Sequence, residues 1–120
     1  MLKNFSDQVV ADLNGLSLLI DLLDSDSVSA LVGEYEDGRK WVNYSIQYNR
    51  SLSKDGAHGW FVFVESWADN YTDSIVIADT VATAFTVSGN YYNYISAESE
   101  PLEIGGTNRV VTKQIFNIKQ

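Results

Sequence analysis

Trp60-Phe61-Val62-Phe63-Val64 is apolar at every position, so neither face of an extended run here is polar. Aromatic and β-branched residues without alternation are the pattern of a strand covered on both sides, and they place this segment centrally in a sheet. Upstream, the period is strictly two. Val42, Tyr44, Ile46 and Tyr48 share one face while Asn43, Ser45 and Gln47 share the other, which predicts a half-buried strand beginning near Trp41. A polar stretch over 49–59 joins these two strands.

Downstream, Asp69-Asn70 ends the central strand and supplies the cap of a helix. Tyr71, Ile75, Ala78, Ala82 and Phe85 then recur at helical spacing, with Ile77, Val81 and Ala84 widening the apolar stripe. Gly89-Asn90 turns the chain. Residues 91–97 and 109–118 are β-rich, and a loop over 98–108 containing Pro101 and Gly105-Gly106 is expected between them.

Toward the N-terminus, Phe5, Val9, Leu13, Leu16, Ile20 and Leu23 lie on one helical face, with Lys3, Asp7, Asn14 and Asp21 opposite. Asn4 followed by Asp7 resembles a capping arrangement, and Gly15 marks a close contact or a bend. Asp24-Ser25-Asp26-Ser27 breaks this helix. Val28, Leu31 and Val32 predict a short second helix stopped by Gly33, and Asp37-Gly38 is a turn signal within a polar loop. The expected fold is a single α+β domain over 1–120: an antiparallel sheet of about four strands flanked by helices, in the order α-α-β-β-α-β-β.

Composition narrows the function classes. The chain has 120 residues and a formal charge of -8, with 8 Lys and Arg against 16 Asp and Glu. Nucleic-acid binders and proteins of anionic membrane surfaces need clustered cations, so neither nucleic-acid recognition nor a membrane partner is expected. There is no cysteine, hence no disulfide or thiolate chemistry. Asp7 and Asp12 interrupt any signal-peptide core, and the Leu16–Leu23 run is broken by Asp21. The glycosylation-like triplets at Asn4, Asn43, Asn49 and Asn70 read as chance on that ground.

Candidate chemistry is thin. Asp24 and Asp26 open a calcium-loop pattern that fails, since Ser29 stands where Gly is needed and Tyr35 where Glu is needed. His58, with Asp55 and Ser53, lacks the nucleophile turn and oxyanion hole of a triad. Glu98, Glu100 and Glu103 share one segment, whereas a glycosidase pair must face a cleft from opposite sides. One histidine and no cysteine do not make a zinc site. No catalytic residue, cofactor or metal is expected.

The charge pattern says more. Between Asp55 and Thr107 every charged side chain is acidic, and Arg109, Lys113 and Lys119 follow without acids. A solvated acidic face explains this pattern plainly. A sharper reading is a self-complementary subunit, in which the acidic helix edge meets the basic last strand of a neighbour and head-to-tail contacts close a ring. The contact residues expected are Asp69, Asp73 and Asp79, with Arg109 and Lys113 opposite. Arg50 and Lys54 in the 49–59 loop join them, as do Tyr91 and Tyr92, whose rings must point to opposite faces.

The order of elements and several local phrases resemble the tail-completion, or tail-terminator, proteins of long-tailed bacteriophages and prophages. The residues that carry the resemblance are the amphipathic N-terminal helix ending in Val28-Ser29-Ala30-Leu31-Val32-Gly33, and the strand pair containing Trp60-Phe61-Val62-Phe63-Val64. Ser66-Trp67 then leads through Tyr71 and Asp73 into the helix carrying Ile77, Val81 and Phe85, and the closing hairpin alternates from Val110 to Ile118. The family's prolines after the Gly33 position are missing here. The resemblance implies a non-catalytic virion tail protein made in the bacterial cytoplasm. Such a protein caps the finished tail tube as a ring, six-fold when assembled and monomeric when free, and joins the tail tube protein to the head connector. Three other readings stand beside it: a head–tail connector or neck protein, a cytosolic module binding a peptide or small ligand, and a small enzyme using His58.

Overall fold

A computed structural model describes residues 2–23, 28–30, 40–49, 59–90, 92–104 and 106–118. Helices α1 (Leu2–Asn14) and α2 (Ser17–Leu22) come first, followed by strands β1 (Val28–Ala30), β2 (Trp41–Asn49) and β3 (Gly59–Ala68). Helix α3 (Tyr71–Val87) and the hairpin of β4 (Tyr92–Ile104) and β5 (Thr107–Ile118) complete the chain. The sheet order is β1-β2-β3-β5-β4. Strands β2, β3, β5 and β4 are antiparallel neighbours, and β1 adds a short parallel pairing to β2. The expected α+β class and four-stranded antiparallel sheet are therefore present, with β3 in the middle.

The helices all pack on one face of this sheet. Alternation along the strands sends Val42 and Tyr44 of β2, Val62, Val64 and Ala68 of β3, and Phe116 and Ile118 of β5 to that face. Val9, Leu13 and Leu19 from the N-terminal helices close the core from above, with Ile77, Val81, Ala84 and Phe85 of α3. Phe85 is its aromatic hub, stacked on Tyr92 at 4.1 Å and edge-on to Phe116 at 4.8 Å. Asn70 caps α3 as the sequence predicts, accepting the Asp73 N–H at 2.8 Å. Gly89 stands just beyond the helix end at φ 85°, a left-handed conformation that a Cβ would strain.

Several expectations are corrected. The predicted single helix over the first two dozen residues is two helices, because Leu16 takes an extended conformation at the start of α2. A Cβ at Gly15 would lie 3.1 Å from the Ala11 carbonyl oxygen, a close approach that suits glycine at this break. The break resets the helical phase, so Leu19 is buried and Ile20 turns outward. Asn4 is no cap, since α1 already begins at Leu2, and Asp7 instead pairs with Lys3 one turn back.

The second helix expected around Val28 is absent among the described residues. Val28–Ala30 is a strand paired with Val42, Asn43 and Tyr44, and Leu31, Val32 and Gly33 lie outside the described residues. A helix of one turn carries the cost of nucleation with little propagation to offset it, whereas the free edge of β2 offers ready hydrogen bonds. The stripe of α3 begins at Ser74, leaving Tyr71 exposed. The predicted 98–108 loop is mostly strand: β4 runs to Ile104, and β5 begins at Thr107. Pro101 is tolerated because β4 is an edge strand.

Truncating the hub should be severe. Phe85→Ala is expected to lower unfolding free energy by about 3–5 kcal/mol, read from the midpoint and slope of urea denaturation.

Candidate interaction surface

The face of the sheet opposite the helices carries a connected polar ladder. Register places Asn43 beside Glu65, and Glu65 beside Lys113, which in turn faces Glu98 on β4. Side chains follow the same path. Trp41 and Trp67 each donate an indole N–H to Asn43 Oδ1, at 3.2 and 2.9 Å, and their rings stack at 5.1 Å. Asn43 Nδ2 donates to Glu65 Oε1 at 2.7 Å. Lys113 Nζ donates to Glu100 at 2.7 Å. An open hollow of about 520 Å³ lies over this ladder, floored by Phe63 and Ile115 beside Glu65, Glu98 and Lys113.

Lys113 is thus one cation among three carboxylates. Its hydrogen bond to Glu100 raises its pKa above the ordinary 10.5, opposed by partial burial and reinforced by the charges of Glu100, Glu65 and Glu98. Both ends of the pair are near 40% exposed (40% and 44%), so the bond contributes little to stability. Arg109 differs. Its side chain is fully buried, 3.0 Å from Asp69 Oδ1, with the guanidinium carbon 4.8 Å from the centre of the Trp41 ring. A planar cation stacked on an indole and tied to a carboxylate is the arrangement arginine suits.

The expected contact residues fall into clear groups. Asp69 and Arg109 meet each other within one chain, and Arg109 offers no exposed surface to a neighbour. Asp73 caps α3 with Asn70 and lies 3.7 Å from Lys40. Asp79 is exposed on α3. Tyr92 points inward to the N-terminal helix, donating to Asp12 at 2.5 Å while Gln8 donates to its hydroxyl at 3.2 Å. Arg50, Lys54, His58 and Tyr91 lie outside the described residues. Asn43, Glu65, Trp41 and Trp67 are ladder members that the sequence reading did not single out as a site. Their alternate spacing marked the face, but only strand register brings them into line.

Among the described residues no cluster of three His, Cys, Asp or Glu side chains is placed to hold a metal ion. No described helix is long and apolar enough to cross a membrane. No protein-family model matches the chain, and no curated protein matches it in sequence. In three dimensions it is similar to a chain of the virion of a native gene transfer agent (GTA) particle. The TM-score is 0.62 at 15% sequence identity, over 92% of this chain and 90% of that chain. At this identity the likeness establishes a shared fold.

Two measurements probe the surface. Asp69→Asn removes the carboxylate beside a buried guanidinium, and a loss of about 1.5–3 kcal/mol is expected in chemical denaturation. The second concerns Tyr92, whose pKa burial raises above the ordinary 10.0, helped by the hydrogen bond to Asp12. The folded state then holds the phenol proton more tightly than the unfolded chain. That contribution is complete below pH 10 and is lost as pH rises beyond it. Stability should fall above this pH, and in Tyr92→Phe the alkaline slope should be shallower.

Proposed function

We propose that this chain is a non-catalytic structural protein of a phage-like virion, acting at the tail as a ring that caps the finished tube and meets the head connector. The observation that carries the reading is the fold, shared over nine-tenths of both chains with a component of a gene transfer agent virion. The resemblance to tail-completion proteins supports a position at the tube end.

The surface chemistry supports the same view. On the sheet face away from the described helices, partly exposed Phe63 and Ile115 alternate with Glu65 and Lys113. Mixed aromatic, aliphatic and charged surfaces of this kind suit reversible protein contacts. The ring does not use Asp69 with Arg109, because that pair is satisfied inside each subunit. Its partners are further copies of the chain, the tail tube protein and the head connector.

Electron microscopy tests the position directly. Purified protein mixed with phage-like tail tubes is expected to decorate tube ends and halt further growth. Tubes that lengthen unchecked while joining to heads is blocked would identify a connector instead. Absence of binding to tubes and heads alike would overturn a tail role.

A further inference from the structure

The groove between α3 and β4, on the helix side of the sheet and about 340 Å³ in volume, is lined by a chain of hydroxyls that ends in an acceptor. Counting hydroxyl hydrogens shows why. Ser74 has one and donates it to the Ser66 carbonyl at 2.9 Å. The 2.8 Å contact between Ser74 and Thr112 must therefore take its hydrogen from Thr112. The 2.8 Å contact between Thr112 and Ser99 must then take its hydrogen from Ser99. The relay runs one way, and Ser99 Oγ, which lines the groove, has only lone pairs left.

Gln114 adds a second acceptor. Its Nε2 donates to the Ala78 carbonyl at 3.0 Å, which fixes the amide orientation. Its Oε1 is buried in a side chain only 3% exposed, and no protein donor reaches it. This unpaired oxygen lies beneath the groove surface and adds partial negative charge under its floor. Asp79 supplies a carboxylate at the rim, and Tyr71 and Tyr94, 59% and 56% exposed, supply ring faces.

We propose that this groove receives an arginine side chain carried by an extended segment of a partner protein lying along the outer edge of β4. A guanidinium has five donors and no acceptor, and it stacks on aromatic rings, which matches the Ser99 acceptor, the Asp79 carboxylate and two tyrosines. β4 is the edge strand, so its outward peptide groups can pair with an added strand. The bulge between Tyr94 and Ser96 and the proline at 101 confine that pairing to 96–100, next to Ser99. Glu98, which lines the groove, makes the same stretch electronegative toward a cationic segment. The inference stands on the groove alone and does not rest on the tail-capping reading.

The test is an amide NMR titration of the full chain with the acetylated, amidated pentapeptide TVRVT and with its norleucine counterpart. Saturable shifts are expected at Tyr71, Asp79 and residues 96–100, with the norleucine peptide weaker by about tenfold. Asp79→Asn and Ser99→Ala, both at exposed positions, are each expected to weaken binding by about threefold or more. Equal shifts with both peptides, shifts confined to the opposite sheet face, or none at all would overturn the proposal. Self-association of the chain alone, lost in Asp79→Asn, would assign the groove to a second copy and overturn the foreign-partner assignment.

Discussion

The seating of α3 across β3 and β5 is the contact on which the other packing depends. At its first turns the helix is lined by Ser74 and Ala78, small enough to bring it close to the sheet. The Ser74 hydroxyl can then reach both the Ser66 carbonyl and Thr112. At its far end Phe85 fills the wider gap between Tyr92 and Phe116. A helix held at both ends in this way leaves a defined space beside it, which Val9, Leu13 and Leu19 of the N-terminal helices fill. Tyr92 then ties α1 to the edge strand through Asp12 and Gln8. Burial of this apolar layer, rather than its few polar links, supplies the driving force.

Every described helix sits on that side, and on the other face of the sheet polar side chains bond to one another. The indoles of Trp41 and Trp67, the amide of Asn43 and the carboxylate of Glu65 form one connected set. Arg109 shows how topology chooses partners. Asp69 follows β3 directly, and β5 runs antiparallel to it with Ala68 opposite Val110. Residues forty positions apart are thereby forced together, and the cation expected to meet a neighbouring subunit is neutralised within its own chain. A pair with one partner buried penalises any register that separates it, since the guanidinium would be left without its carboxylate.

Where pattern and burial have the same period, structure was legible from residues. The apolar run from Trp60, the alternation from Val42 and the Asn70 cap all appear where local chemistry puts them. Three features were not legible. Val28–Ala30 becomes a strand because the edge of β2 is available to it, a fact about a segment over ten residues away. Helical phase across Gly15 and Leu16 looks continuous in one dimension, yet the extended Leu16 rotates α2. Residues 98–104 are polar enough to read as loop but are held as strand by β5 alone.

Residue pattern thus settled the class of fold, the central strand and the boundaries of α3, since these follow from side-chain periodicity and residue type within a short window. Tertiary structure alone decided which charges were already paired, and that a one-way relay of hydroxyls ends at the groove beside α3. Those properties depend on strand register and helix height. Both are set by packing between segments distant in the chain, and no local spacing encodes them.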